Sequence, residues 1–194
     1  DARLARFIEA NDRPPPTAPL PDAARIEKDP AWLLIWKARA AARPLADRPY
    51  GRFSINWDRS YFNTLLPHAD RTRRVTALLQ WDAVSRASAG DGATALADCR
   101  GCVNAGRALH DEPGAMSQLV RIACGFVGVR TAERVLAIDT APDGELKAIQ
   151  DVIRDEEAAP ILRTMARAER GAMHWLFSAA AAGDLPAPPL GSTP

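Results

Sequence analysis

Apolar residues recur every three to four positions from Ala69 onward, which is the spacing of one buried face of an α-helix. The pattern predicts helices at 69–89, 93–109, 113–136 and 160–182, and between the last two a helix that opens at Thr140 and contains Leu146 to Ile153. Short turns rich in Gly, Asp and Pro separate them, and helices joined by such short turns run antiparallel. Strand signals are weak, with 52–57 the one short alternating candidate. The predicted fold class is all-α, as stacked antiparallel helical hairpins or an irregular helical bundle.

The N-terminal third of the chain has a less regular pattern. Residues 1–12 can form a short amphipathic helix, and the five prolines within 14–21 favour an extended segment. A helix is predicted at 31–42, with Asp29-Pro30 as its start and Pro44 beyond its end. Between this helix and Ala69, the apolar residues show no regular spacing.

The chain length of 194 residues suits a single domain with a sizeable core. Within it, residues 1–68 are expected to pack on the helical body, which spans 69–183. Residues 184–194 carry several prolines and no period, and they are expected to form a flexible tail.

Aromatic side chains concentrate in residues 50–62, here called the aromatic strap, which holds five of the twelve aromatics of the chain. An irregular connection of this length is uncommon inside a compact domain and often has a function. The strap is expected to pack across the helices, and a surface that faces a ligand is the less favoured alternative. Its candidate ligand surface comprises Tyr50, Arg52, Phe53, Trp57, Tyr61 and Phe62.

Arg121 falls on an otherwise apolar helix, where an unpaired charge is costly to bury. It is therefore predicted to pair with Asp111, Glu112 or Glu133 in an ion-pair network that braces the stack. A catalytic role for these four residues is the less favoured alternative.

Two further groups could carry chemistry. Cys99 and Cys102 form a C-x-x-C, which occurs in redox pairs and as half of zinc sites. They lie in mid-helix on the apolar stripe and no second such pair is present, so core packing is favoured for them and for Cys124. His110 and its two acidic neighbours could form a metal or acid–base site, but end-of-helix charge compensation and capping are favoured.

Composition narrows the functional classes only a little. The formal charge is +1, so no strong field favours nucleic acid or an anionic membrane. No apolar run reaches the about 18–20 residues that span a bilayer. Nucleotide-binding glycine loops, the nucleophile elbow and H-E-x-x-H are absent from the sequence, so an enzyme is disfavoured and neither a cofactor nor a metal is predicted.

The segment 89–96 resembles the turn and second-helix start of a tetratricopeptide repeat. Gly90-Asp91 precedes the small-then-large pair Ala95-Leu96, and Pro113 stands at the helix exit. The second helix is about a turn and a half too long, and no second copy follows at a period of about 34 residues. The resemblance implies helical hairpins of tetratricopeptide-like character.

A broader resemblance covers roughly residues 44–175. The segments that carry this resemblance are Arg43–Asp47, Gly51–Phe53, Gly90-Asp91, Gly106–Leu109, Asp111–Pro113, Ser117–Ala123 and Glu133–Leu136. They resemble a group of uncharacterised planctomycete proteins in which a helical domain follows an N-terminal membrane anchor. The resemblance implies a helical fold and a place at the cell envelope through an anchor that these residues do not contain. It implies no chemistry.

The favoured function is a non-enzymatic scaffold that binds a protein or a peptide, because helical stacks offer grooves for helices and extended chains. Nucleic acid is not predicted as a partner, and no direct membrane insertion by these residues is predicted. One alternative is a small-molecule binder or enzyme with a pocket near 50–62, and another is a self-associating component of the cell envelope.

Overall fold

The computed structural model describes residues 31–58 and 61–184. Within these ranges the regular secondary structure is entirely helical, which confirms the all-α prediction. The helices are α1 (Ala31–Ala42), α2 (Pro67–Ser88), α3 (Gly92–Arg107), α4 (Ala115–Ile138), α5 (Asp143–Glu157) and α6 (Ile161–Ala182), with short 3₁₀ turns at Arg43–Asp47 and Tyr61–Asn63. None of the described helices is both long enough and apolar enough to cross a bilayer.

Several predictions from the sequence fall outside the described residues. They concern the short helix at 1–12, the proline-rich segment at 14–21, the helix start at Asp29-Pro30 and the tail from Leu185. The predicted helix at 31–42 is confirmed, and the predicted α4 is one continuous helix across both of its glycines.

Local chemistry accounts for the sharp turn between α2 and α3. Gly90 adopts a left-handed φ of 78°, which glycine reaches without the steric cost that a Cβ would add. Asp91 then caps α3, since its side chain accepts a hydrogen bond of 3.2 Å from the backbone N–H of Thr94. The α2–α3 hairpin therefore follows from two neighbouring residues.

Helix α3 is the centre of the structure. It packs against α2, α4, α5 and the Arg43–Asp47 turn, while α1 packs on α2 and α6 packs on α4. Ala95, Leu96 and Cys99 on α3 are fully buried, and even its polar residues are enclosed. A helix buried on nearly all sides requires close neighbours in several directions.

Glycines let α3 and α4 approach each other closely. A Cβ added at Gly106 would lie 2.8 Å from the Cβ of Cys124 and 2.9 Å from the carbonyl oxygen of Arg121. A Cβ added at Gly128 would lie 2.7 Å from Val103 Cγ2. These distances are far shorter than van der Waals contact, so the two backbones are packed as closely as glycine allows.

The three cysteines belong to this same packed region, as the sequence predicts. Cys99, Cys102 and Cys124 are buried and are not in disulfides. Burial raises the pKa of Cys99 to about 12 and that of Cys102 well above its usual range, so both thiols stay protonated at neutral pH. The described residues contain no cluster of His, Cys, Asp and Glu side chains that could hold a metal ion.

Substitution of the glycines tests the close approach of α3 and α4. Gly106→Ala and Gly128→Ala are each expected to lower the free energy of unfolding by about 1–3 kcal/mol, because the added methyl overpacks the contact. Gly125→Ala is the matched control on α4, since a Cβ there meets nothing within 4 Å. It should stabilise the protein by about 0.5–1 kcal/mol through helix propensity. Urea unfolding of the three variants measures these differences, and equal effects at all three positions would contradict the packing described.

Candidate functional site

The aromatic strap crosses the turn between α3 and α4. The ring of Tyr50 covers the guanidinium of Arg107 at 5.3 Å, and Phe53 stacks on His68 with ring centroids 4.7 Å apart. Tyr50 is nevertheless 70% exposed, and Trp57 is 52% exposed. The strap therefore packs on the helices through part of its aromatic surface and leaves the rest open.

At its far end, the strap connects two helices. The hydroxyl of Tyr61 donates a hydrogen bond of 2.9 Å to Oε1 of Glu169 on α6. The same oxygen accepts the backbone N–H of Ala115 at the start of α4, at 3.2 Å. Burial and then the Glu169 carboxylate raise the pKa of Tyr61, so the phenol stays a donor.

A cleft of about 240 Å³ opens where the α3–α4 turn meets the start of α6. Its lining residues are Tyr50, Arg107, His110, Asp111, Gln118, Arg121, Asp155, Ala159, Pro160, Ile161 and Thr164. Of the six strap residues predicted as a ligand surface, Tyr50 is the one in this lining. The other five, Arg52, Phe53, Trp57, Tyr61 and Phe62, do not converge on it.

Arg121 forms an ion pair, but the predicted partners are wrong. Its Nε and Nη2 atoms contact the two carboxylate oxygens of Glu156 on α5 at 2.6 and 2.7 Å, and its Nη1 donates to the carbonyl of His110 at 2.8 Å. Two-point contacts of this kind are among the strongest ion pairs. The partner lies 35 positions away, on a helix brought alongside by the tertiary fold.

The three predicted carboxylates are engaged elsewhere. Asp111 contacts His110 and, more distantly, Arg52, while Glu133 pairs with Arg130 on the surface of α4. The hydrogen bond from His110 is the main cause that lowers the pKa of Asp111. These pairs are exposed, so they contribute little to stability.

Glu112 belongs to a separate buried cluster. His68 Nε2 lies 2.9 Å from its carboxylate, and the hydroxyl of Ser117 donates to it at 2.5 Å. The Glu112 side chain therefore joins the starts of α2 and α4. In a catalytic triad the histidine contacts the nucleophilic hydroxyl directly. Here the Glu112 carboxylate lies between the Ser117 hydroxyl and the His68 imidazole, so this cluster is not an activated nucleophile.

Two polar atoms in the cleft lining have no hydrogen-bond partner. Arg107 is 6% exposed, and its nearest carboxylates, Asp155 and Glu156, are 3.8 and 3.7 Å away. Those distances are too long for hydrogen bonds, and Nη1 of Arg107 is buried without a partner. The same is true of Oε1 of Gln118, a side chain that is fully buried.

A cluster of charges that sequence reasoning missed lies between α1, α2 and α3. Asp82 pairs with Arg39 and Arg86, and Arg86 also lies 3.4 Å from Asp98 and 2.9 Å from Asp91. Burial of Asp98 outweighs its neighbouring arginines and raises its pKa to about 7. The signal in the sequence was an acidic residue on an apolar helix stripe beside Cys99.

Large apolar side chains stand on the outer surface of α4. Met116 is 65% exposed, Leu119 51%, Ile122 41% and Phe126 66%. They recur at helical spacing on the side of α4 opposite its buried residues Val120, Cys124 and Gly128.

Helix α6 has an apolar stripe that is only half covered. Ala172 is its one buried residue, whereas Leu162, Met173 and Phe177 are 67%, 44% and 71% exposed. Beside them runs a row of exposed arginines, Arg163, Arg167 and Arg170, for which no ion pair is seen with the part of the chain that the structure describes. The exposed surface of α4 and α6, defined by Met116, Leu119, Ile122, Phe126, Leu162, Ala166 and Met173, is called the α4–α6 surface below.

No protein-family model, curated protein or solved structure matches this chain. The geometry of the cleft and of the α4–α6 surface therefore carries the functional interpretation.

The raised pKa of Asp98 gives a pH dependence of known sign. The folded protein binds a proton at Asp98 more tightly than the unfolded chain does, since the pKa falls from about 7 to its ordinary value of 3.8 on unfolding. This group therefore lowers the free energy of unfolding as pH rises through that range. Asp98→Asn cannot ionise, and Arg86 keeps Asp82 and Asp91 as partners. The free energy of unfolding of the variant minus that of the original protein should therefore increase by at least about 1 kcal/mol as the pH is raised from 4.5 to 7.5.

Asp91→Asn is the control for this measurement, with the opposite expectation. The hydrogen bond from Thr94 lowers the pKa of Asp91, so its contribution to stability is present at neutral pH and is lost on acidification. Denaturant unfolding across the pH range should give slopes of opposite sign for the two variants. A relative stability of Asp98→Asn that falls as pH rises would contradict the assignment.

Proposed function

We propose that this protein is a non-enzymatic helical scaffold whose α4–α6 surface binds an amphipathic helix of another protein. The observation that carries the proposal is the exposed apolar face of α4, which continues onto α6 and borders a row of arginines. The tetratricopeptide-like hairpin character expected from the sequence is consistent with it, because such hairpins bind peptides.

The apolar residues of this surface expose an area at the upper end of what a single domain exposes. At their exposed fractions, the seven residues together present on the order of several hundred Å². The largest apolar patch on a typical monomer is about 300–600 Å², and one side of a standard interface covers about 800 Å². The α4–α6 surface is thus sized for a partner.

The directions of α4 and α6 make this surface continuous. Glu169 meets Ala115, while Ile161 and Thr164 line the same cleft as Arg121, so the two helices run antiparallel. At 100° per residue, the side of α6 that carries Leu162, Ala166 and Met173 then faces the same way as Leu119 and Phe126 on α4. We infer that the apolar side chains of the two helices lie side by side on this face.

The arginines determine the charge of the partner. Arg163, Arg167 and Arg170 follow one another at helical spacing along the edge of this surface, and all three are exposed. A partner helix with an apolar face and a flanking row of Asp or Glu is complementary to both features. A second copy of this chain is not, because α4 and α6 contain one carboxylate each, Glu133 and Glu169, and both are already engaged.

Two designed helical peptides of about 18 residues test this proposal. They share one Leu-rich face and differ in the flanking residues, which are Glu in one and Lys in the other. The Glu peptide should bind at least tenfold more tightly at low salt, measured by fluorescence anisotropy, and salt should weaken its binding. Leu119→Asp and Phe126→Asp should abolish binding of both peptides, and Arg167→Glu should remove the preference for Glu.

Leu65→Asp is the matched control, since Leu65 is 83% exposed and lies outside the α4–α6 surface. It should bind the Glu peptide like the original protein. Binding of neither peptide, or equal binding of both, would contradict the proposal. Concentration-dependent dimerisation through Leu119 in sedimentation would instead favour self-association, and binding to anionic vesicles without peptide binding would favour a membrane surface.

A further inference from the structure

The cleft beside Tyr50 has the features of a small-molecule site, independently of the α4–α6 surface. It is about 240 Å³ in volume, which is below the roughly 300–1,000 Å³ of pockets for drug-sized ligands. It is formed by the α3–α4 turn on one side and by the α5–α6 turn on the other. A ligand that fits it is a small metabolite.

Arg107 is the clearest unused binding group in the cleft. Its side chain is buried beneath the ring of Tyr50, and no carboxylate approaches it within hydrogen-bond distance, although Asp155 and Glu156 stand 3.8 and 3.7 Å away. Its Nη1 has no acceptor at all. A buried donor without an acceptor is unfavourable, and a carboxylate oxygen of a ligand would supply the missing acceptor.

Gln118 supplies the complementary acceptor. Its Nε2 donates to the backbone carbonyls of His110 and Glu112, at 3.2 and 2.6 Å, which fixes the orientation of the amide. Oε1 is therefore the atom left over, and it is buried without a donor. A ligand that satisfies it must carry an N–H or O–H group.

The charged residues of the lining favour a ligand that carries one positive and one negative group. The lining contains two arginines, Arg107 and Arg121, and two aspartates, Asp111 and Asp155, so the cleft presents groups of both signs. Both carboxylate oxygens of Glu156 already bind Arg121, so Arg107 is the arginine of the lining that can still donate to a ligand. The side chain of Asp155 is 63% exposed and can accept from a positively charged group of a ligand. An anion alone would satisfy Arg107 and leave the acceptors unused.

We propose that this cleft binds a free α-amino acid as its zwitterion. The carboxylate of the ligand pairs with Arg107, and its ammonium donates to Gln118 Oε1 and faces Asp155. Tyr50, Pro160 and Ile161 form the apolar part of the lining and favour an aliphatic side chain on the ligand. Tyr50 belongs to no helix and covers Arg107, so it moves aside for the ligand to enter.

Backbone geometry at the rim is consistent with a binding site. His110 has a φ of 42°, in the left-handed region that non-glycine residues seldom adopt. Gln118 and Arg121 both donate to its carbonyl oxygen and hold that conformation. The turn is thus fixed by the same side chains that line the cleft.

Calorimetric titration with L-leucine and two truncated analogues tests the proposal. The analogue 4-methylpentanoate retains only the carboxylate, and isopentylamine retains only the ammonium. L-leucine should bind, and each analogue should bind at least tenfold more weakly. Absence of heat up to about 10 mM L-leucine, or equal binding of 4-methylpentanoate, would overturn the proposal.

Two variants separate binding from folding. Arg107→Met keeps the length of the side chain and should weaken L-leucine binding at least tenfold, whereas Arg130→Met, an exposed arginine on α4, should leave it unchanged. If Arg107→Met does not fold, Tyr50→Ala alters an exposed strap residue and should weaken binding at least fivefold. Binding equal to that of the original protein in the folded variant would overturn the assignment of the cleft. Leu119→Asp should bind L-leucine normally, which distinguishes this site from the helix-binding function.

Discussion

The burial of α3 on nearly all sides is the constraint on which the rest of the structure depends. A fully enclosed helix would ordinarily be apolar, yet α3 carries Asp98, Arg100 and Arg107, all of them buried. Two of these charges meet opposite charges on different neighbours: Asp98 meets Arg86 of α2, and Arg100 meets Glu145 of α5 and Asp47 of the Arg43–Asp47 turn. A buried charge that loses its partner destabilises the fold, so the placement of α3 depends on these neighbours. These pairs therefore restrict how α2, α5 and the 3₁₀ turn can be placed around α3.

Away from α3 the packing becomes less complete, and the candidate functions lie there. Helix α6 contacts the body through Ala172 and through the Glu169 carboxylate, which joins Tyr61 to the start of α4. Its other apolar residues remain partly exposed, as does the outer face of α4. The cleft forms at the same boundary, where Arg107 reaches the edge of the core and finds no carboxylate close enough. Incomplete burial and incomplete hydrogen bonding thus occur together at the boundary between α6 and the rest of the helices.

The sequence predicted the positions of the helices well, but it did not predict which side chains contact each other across them. Periodicity and the Gly90 turn predicted α2 to α6 within a few residues, because those signals are local. Arg121 was recognised as needing a carboxylate, but its partner Glu156 is on another helix and no spacing connects them. The strap was expected to pack on the helices, with one shared ligand surface as the less favoured alternative; in the fold Phe53 stacks on His68, and Tyr50 is the strap residue that lines the cleft. The sequence places Gln118 on an otherwise apolar helix, but its unused oxygen is visible only in three dimensions. Membership of the planctomycete group stays a prediction.

Amide hydrogen exchange tests most directly the claim that α3 is the fixed centre and α6 the lightly held edge. The account predicts that amides from Leu96 to Val103 exchange only through global unfolding, with a free energy equal to that from denaturant. Amides in the last three turns of α6 should be protected at least about 100-fold less, through local opening. Equal protection of α6 and α3, or faster exchange in α3 than in α6, would contradict it.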